Sequence, residues 1–289
     1  MSERVLLVGA RSPLGRSIGA ELDALGHSVV YTSRDGGHGL EVLDVTDAST
    51  VSGVLERARP TVVIYLARPG PGNSPDAIER TAEDLTAFAT RCSAVGVERI
   101  LFASSASVYG TDGVVPACEG DRAEATSPNA LLKLASEAAL TDVARAGGTR
   151  AIVFRIFNIY GPGFTNSLVN RLAAGDGSSP VVYTTDRFVR DYIHVSDVAR
   201  GFASGLVAPI AGTEIVNLGT GIATDNRALL ELCPGAVYVS DPDPTVRSFS
   251  VANIERARSY LGFEPRVRLE SAIRSPDEFL RGPAPASGN

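Results

Sequence analysis

Short apolar runs recur along the chain, each separated from the next by enough polar and mixed sequence for one helix. Val5–Val8, Val29–Thr32, Thr61–Leu66, Ile100–Tyr109 and Ala151–Phe154 are such runs. Each is bounded by Gly, Pro or small polar residues and is rich in β-branched side chains, which predicts strands buried on both faces. Between them the pattern turns helical: an amphipathic stretch runs from Pro13 to Leu25, and Ser127–Glu137 opens another helix. Strand alternating with helix predicts an α/β chain with a parallel sheet covered on both sides through right-handed crossovers. Regularity stops at 69–75, PGPGNSP, which predicts a loop at a strand's carboxyl end.

The first strand runs into Gly9-Ala10-Arg11-Ser12-Pro13-Leu14-Gly15. Glycines in such a turn let the backbone approach a pyrophosphate, and the N-terminus of the following helix holds the anion with free amides and its positive dipole end. Ser12 is a good N-cap and Pro13 suits the first helical position. The expected architecture is therefore a Rossmann-like doubly wound parallel sheet, with Gly9, Arg11, Ser12, Pro13, Leu14 and Gly15 holding a dinucleotide. Ser33-Arg34-Asp35 ends the second strand roughly 20 residues further on, where an acid binds the NAD ribose or an arginine takes the NADP 2′-phosphate. Arg34, joined by Arg11, favours NADP(H); Asp35 argues for NAD(H).

At 289 residues the chain is long enough for a second, smaller lobe. The expected division is a dinucleotide-binding domain over 1–160, with 186–220 returning to it, a substrate lobe over 161–185 and 221–280, and a disordered tail over 282–289. A formal charge of -6 and a pI near 5.2 give no basic field for nucleic acid or anionic membrane. Cys92, Cys118 and Cys233 form no C-x-x-C pair and His27, His38 and His194 are scattered, so neither a metal site nor a disulfide framework is indicated. With no basic-then-apolar leader and no long apolar span, the expected location is cytoplasmic. Lys133 is the single lysine among 27 Lys and Arg residues. A compact ammonium suits a sugar hydroxyl pair better than a planar guanidinium does.

The segment Pro128-Asn129-Ala130-Leu131-Leu132-Lys133 resembles the P-Y-x-x-S-K signature of the extended short-chain dehydrogenase/reductases, the epimerase/dehydratase-like branch. SSASVYG (104–110), RIFNIYGPG (155–163), VRDYIHVSDV (189–198) and VNLGTG (216–221) resemble the same branch in order and spacing, from Val5 to about Leu269. The resemblance implies that Ser105 hydrogen-bonds the reacting carbonyl, that Lys133 holds the nicotinamide ribose, and that Asn129 stands where the family has its catalytic tyrosine. It places Ser33, Arg34, Asp44 and Val45 at the adenosine end, with Asp44 on the adenine amine. Leu66, Ala67 and Arg68 fall beside the cofactor, Phe157 at the nicotinamide, and Ser107, Tyr109 and Asn158 at the substrate. It also implies a homodimer through two helices, although the chain shows no decisive apolar stripe.

The departures shape the expected activity. Asparagine donates a hydrogen bond but cannot titrate. Ala106 and Ser107 stand where dehydratases of this branch carry Asp and Glu, which removes their acid and base. Thr81 replaces an asparagine near the cofactor. Asp241-Pro242-Asp243-Pro244 stands where nucleotide-sugar enzymes carry R-P-G-D, and two carboxylates there would repel a diphosphate, although Arg190 and Arg247 remain. The expectation is an NADPH-dependent ketoreductase of antibiotic biosynthesis acting on an angucyclinone-like polycyclic aromatic ketone. In such a substrate, a hydroxyl beside the carbonyl replaces the missing acid. Two alternatives stay open, a nucleotide-sugar epimerase or reductase and a non-catalytic NADP-binding sensor.

Overall fold

The computed structural model describes residues 2–37, 39–67, 74–110, 112–173, 179–243 and 245–281. Arg68 and the tail at 282–289, both named above, lie outside the described residues. The first half runs β1 (Arg4–Val8), α1 (Pro13–Ala24), β2 (Ser28–Ser33), β3 (Glu41–Val42), α2 (Ala48–Ala58), β4 (Val62–Tyr65), α3 (Pro75–Ala94), β5 (Arg99–Ser105) and α4 (Pro128–Arg145). The chain continues with β6 (Arg150–Ile156), β7 (Asn158–Tyr160), α5 (Leu168–Ala173), β8 (Val181–Tyr183), β9 (Phe188–Arg190), β10 (Tyr192–His194), α6 (Val195–Gly205) and β11 (Thr213–Leu218). It closes with β12 (Thr224–Asp225), α7 (Asn226–Leu232), β13 (Val239–Asp241), β14 (Ser248–Ser250), α8 (Glu255–Leu261) and α9 (Leu269–Arg274).

Seven strands form one parallel sheet in the order β11-β6-β5-β4-β1-β2-β3. The apolar runs explain it: all four residues of β4 and four of the five in β1 are buried, as a sheet covered on both faces requires. One core layer centres on Leu7, Ile64, Phe154 and Phe202, the other on Leu6, Val63, Phe88 and Phe102. Alternate residues of the same strands feed opposite layers. The strand order reverses between β1 and β4, so a crevice opens at their carboxyl ends.

One boundary differs from the sequence reading. The strand expected to reach Tyr109 ends at Ser105, whose hydroxyl accepts from the Ser107 amide at 3.2 Å and caps a 3-10 turn, Ala106–Tyr109. Local side-chain capping outcompetes the ladder there.

Beyond β6 the chain builds short sheets, β10-β7, β12-β9-β14 and β13-β8. Asp191, between β9 and β10, is fully buried and accepts from the amides of Thr220, Gly221 and Ala252 and the Thr220 hydroxyl. That carboxylate ties the β11–β12 turn and the segment after β14 to one point. Among the described residues no helix is long and apolar enough to cross a membrane.

Candidate active site

At the crevice, Gly9 has φ +89°, in the region that favours glycine, and a Cβ there would stand 3.2 Å from the Leu66 carbonyl carbon. Gly15 is closer still: a Cβ would lie 2.6 Å from the Gly9 oxygen. The missing side chains set helix α1 directly against the turn. Ser12 caps α1 by accepting from the Gly15 amide at 2.9 Å, and Pro13 opens the helix, as the sequence predicts. Leu14 turns its side chain into the core.

The resulting cleft has a volume of about 610 Å³. It brings together Gly9, Arg11, Ser12, Ser33, Arg34, Asp44, Val45, Leu66 and Ala67 from the expected set. Thr46, Tyr65 and Asp84 also line it. The Asp84 carboxyl is raised by burial and by the charge of Asp44, with Arg80 opposing. Arg11 donates to the Gly36 carbonyl at 2.6 Å and lies 3.8 Å from Asp35, which also meets Arg34 at 3.9 Å. Both arginines are well exposed, so these ion pairs are weak and leave the guanidiniums available to a ligand phosphate. The glycine-lined turn, the capped helix and the cleft volume fit a dinucleotide.

Ser105, Ser107 and Lys133 meet at the carboxyl end of β5. Ser107 Oγ donates to Ser105 Oγ at 2.9 Å, and Lys133 Nζ donates to the Ala103 carbonyl at 2.6 Å while lying 4.8 Å from the Phe102 ring centroid. One turn further along α4, Glu137 accepts from Ser104 and forms a buried 2.7 Å ion pair with Arg155 of β6. Helix α4 is thereby pinned to β5 and β6 at two successive turns, which fixes Lys133 against the strand end. Asn129, four residues before Lys133 and on the same face, is exposed in the first turn of α4.

Tyr109 faces away from an acid–base role. Its hydroxyl donates to Asn217 Oδ1 at 2.7 Å, Arg155 lies 4.7 Å from its ring centroid, and burial pushes the phenol up to about 12. Phe157 is buried, stacks on the Tyr109 ring at 6.4 Å, and borders a 230 Å³ recess rather than the larger cleft.

Asn158 lies elsewhere again, in a separate 560 Å³ cavity that sequence reasoning did not assemble. Its lining includes Arg171, Tyr183, Phe188, Arg190 and Asn226. Arg190 donates to the Val189 carbonyl at 2.8 Å and Ser248 Oγ at 2.9 Å, and its guanidinium lies 3.9 Å from the Phe188 ring centroid. Burial lowers its pKa, with Tyr192 opposing. Asp241 and Asp243 do not face this cavity: Asp241 Oδ1 accepts from the Asp243 amide, and Asp243 Oδ1 from Thr245. Neither carboxylate lines the cavity, so the expected repulsion of a diphosphate does not arise at its wall.

Comparison with known proteins extends this geometry. A family model described as the NAD dependent epimerase/dehydratase family matches residues 5–219. The UDP-glucose 4-epimerase of Rhizobium meliloti (strain 1021) is 26% identical over 320 residues, covering 95% of this chain and 96% of that one. The dTDP-L-rhamnose 4-epimerase of Burkholderia thailandensis is 27% identical, covering 81% and 78%. The structure of MoeE5 in complex with UDP-glucose and NAD superposes with a TM-score of 0.79 at 27% identity, over 93% of this chain and 96% of that one. The UDP-glucose 4-epimerase of Thermus thermophilus, in complex with NAD, gives 0.77 at 25%, with the same coverage. These relatives overturn the expected aromatic-ketone reductase: those with named substrates act on nucleotide sugars, and the solved structures hold NAD.

Proposed function

Because the chain belongs to the NAD dependent epimerase/dehydratase family, we propose that it is a nicotinamide-dinucleotide-dependent enzyme that epimerises a nucleotide-linked sugar. One observation carries the substrate class. Arg190 is a largely desolvated cation whose partners are a carbonyl, a hydroxyl and an aromatic ring, with no carboxylate bound to it among the described residues. A half-buried charge of this kind is stabilised when an anion joins it, and a diphosphate supplies that anion beside Arg171 in a cavity with room for a nucleoside. The names of the relatives support the same class, UDP- and dTDP-linked hexoses.

A nicotinamide dinucleotide bound in the cleft supplies a reversible hydride acceptor for a ring carbon. The chain's own residues hold and orient. Ser105 and Asn129 hydrogen-bond the oxygen on that carbon, and Lys133, fixed by the Ala103 carbonyl, contacts the cofactor ribose. Asn129 cannot take the proton, so the Ser105–Ser107 hydroxyl pair relays it from that oxygen to solvent water as the hydride leaves, and back again when the hydride returns. Arg11 and Arg34 beside the cleft support NADP(H) over NAD(H).

Incubation of UDP-glucose, UDP-galactose and a dTDP-hexose with trace NAD+ or NADP+, followed by NMR of the sugar, tests the proposal. Interconversion at one ring carbon is expected, faster with NADP+. Recovery of every nucleotide sugar unchanged with both cofactors would sink it, and equal rates would remove the cofactor preference alone.

A further inference from the structure

Asn226 is the first residue of α7, only 2% exposed, and part of the lining of the Arg190 cavity. Its Nδ2 donates to the Tyr183 carbonyl at 2.9 Å, which identifies the other end of the amide as Oδ1. Its Oδ1 is shielded from solvent and has no hydrogen-bond partner among the described residues. An acceptor left in that condition carries an uncompensated desolvation cost. An asparagine at such a position points to a donor that arrives with a ligand. Asn226 lines the cavity and the χ2 torsion of asparagine is broad, so rotation of the amide can present Oδ1 to a ligand there.

The neighbours say which part of a ligand that is. In the β12·β9 ladder Thr224 is opposite Arg190 and Asp225 opposite Val189, so Asn226 follows on toward Phe188. The Tyr183 and Phe188 rings lie 5.6 Å apart, beside the carbonyl that Asn226 holds. The cavity wall thus carries a cation, an amide and an aromatic pair side by side, the kinds of group that a nucleotide's phosphate, ribose and base call for.

We infer that Asn226 is a specificity residue whose Oδ1 accepts a hydrogen bond from the nucleoside half of the substrate, either a ribose hydroxyl or the imide N–H of a pyrimidine. The inference rests on the nucleotide-sugar reading and deepens it. The two sources share one chemistry, a neutral donor, and separate by analogue. A ribose donor makes the site select ribonucleotides over 2′-deoxyribonucleotides, whereas an imide donor makes it select uracil or thymine over an N3-blocked base.

Calorimetric titration of UDP, 2′-deoxy-UDP and N3-methyl-UDP into the wild type, Asn226→Leu and Asn226→Val tests it. Wild type is expected to bind UDP about tenfold more tightly than either variant, in line with the loss of one neutral hydrogen bond. The analogue lacking the donor should bind all three proteins alike. Equal UDP affinity in wild type and variants overturns the inference, as does an equal loss for all three nucleotides, which would mean a change of cavity shape. Failure of the wild type to bind any of them overturns the nucleotide-sugar reading itself, and the inference with it.

Discussion

The cleft at the β1–β4 crevice and the cavity around Arg190 are of similar volume but are written in different ways. The cleft is lined by residues between Val8 and Asp84, and its shape comes from the backbone: a left-handed glycine, a capped helix start and a helix set against its own turn. The cavity draws on β7, α5, β8, β9 and α7, and what it can bind is decided by side chains that meet only in the folded chain. A backbone-built site tolerates many side chains and few changes of glycine. A side-chain-built site has the opposite sensitivity.

The strongest way to break this contrast is Gly15→Ala. Its methyl group would fall 2.6 Å from the Gly9 oxygen and 2.8 Å from the Ala10 Cα, so α1 must retreat from the turn. Overpacking of this kind costs about 1–3 kcal/mol, which taken from cofactor binding is about 5–150-fold in affinity. Fluorescence titration of the reduced cofactor should show that loss; unchanged affinity would mean the close approach is dispensable.

Arg190→Leu comes next. UDP affinity should fall by about 10–100-fold while cofactor affinity and the melting temperature hold, since exchanging a desolvated charge for an apolar side chain is often neutral for stability. A matching fall in cofactor affinity would show that the two sites are one.

The smallest effect concerns acid. His194 Nε2 donates to the Phe279 carbonyl at 2.8 Å, so Nδ1 is the acceptor that caps α6 through the Ser196 amide and hydroxyl. Burial lowers the imidazole pKa, Arg200 lowers it further, and the Phe279 carbonyl opposes. The unfolded chain therefore takes up the proton first. The stabilisation is present above the unfolded value of about 6.5 and declines as pH falls through it toward the lower folded pKa. A loss of about 1 kcal/mol, the worth of one cap, should appear in melting curves between neutral pH and pH 5. His194→Asn keeps a capping oxygen and should flatten that decline; an identical decline in both proteins would place its origin elsewhere.

The same contrast explains what could be read from the sequence. Ser12, Pro13 and the two glycines announce a strand, turn and helix because each acts within four residues of itself. Lys133 stands out through its rarity. Nothing comparable marks Arg171, inside a short mixed helix, or Asn226, which follows Asp225 as any residue at a helix start would. Asp241 and Asp243 mislead for the same reason: their charge is visible in the sequence, but their engagement by the turn is not. The expected aromatic substrate grew from one absent hydroxyl at Asn129. That position bears on how a proton moves, whereas the substrate class proposed above rests on Arg190.

The position of Ser248 has a consequence for how the protein is made. A ribosome has released every residue lining the cleft once Asp84 is out, so that site can form early in synthesis, in keeping with N-terminal units folding first. Arg190 emerges long before the hydroxyl of Ser248 that holds it, and before the segment containing Ala252 that closes over Asp191. A nascent chain can thus form its cleft well before its Arg190 cavity, and a chain arrested between these points would be expected to carry the first without the second.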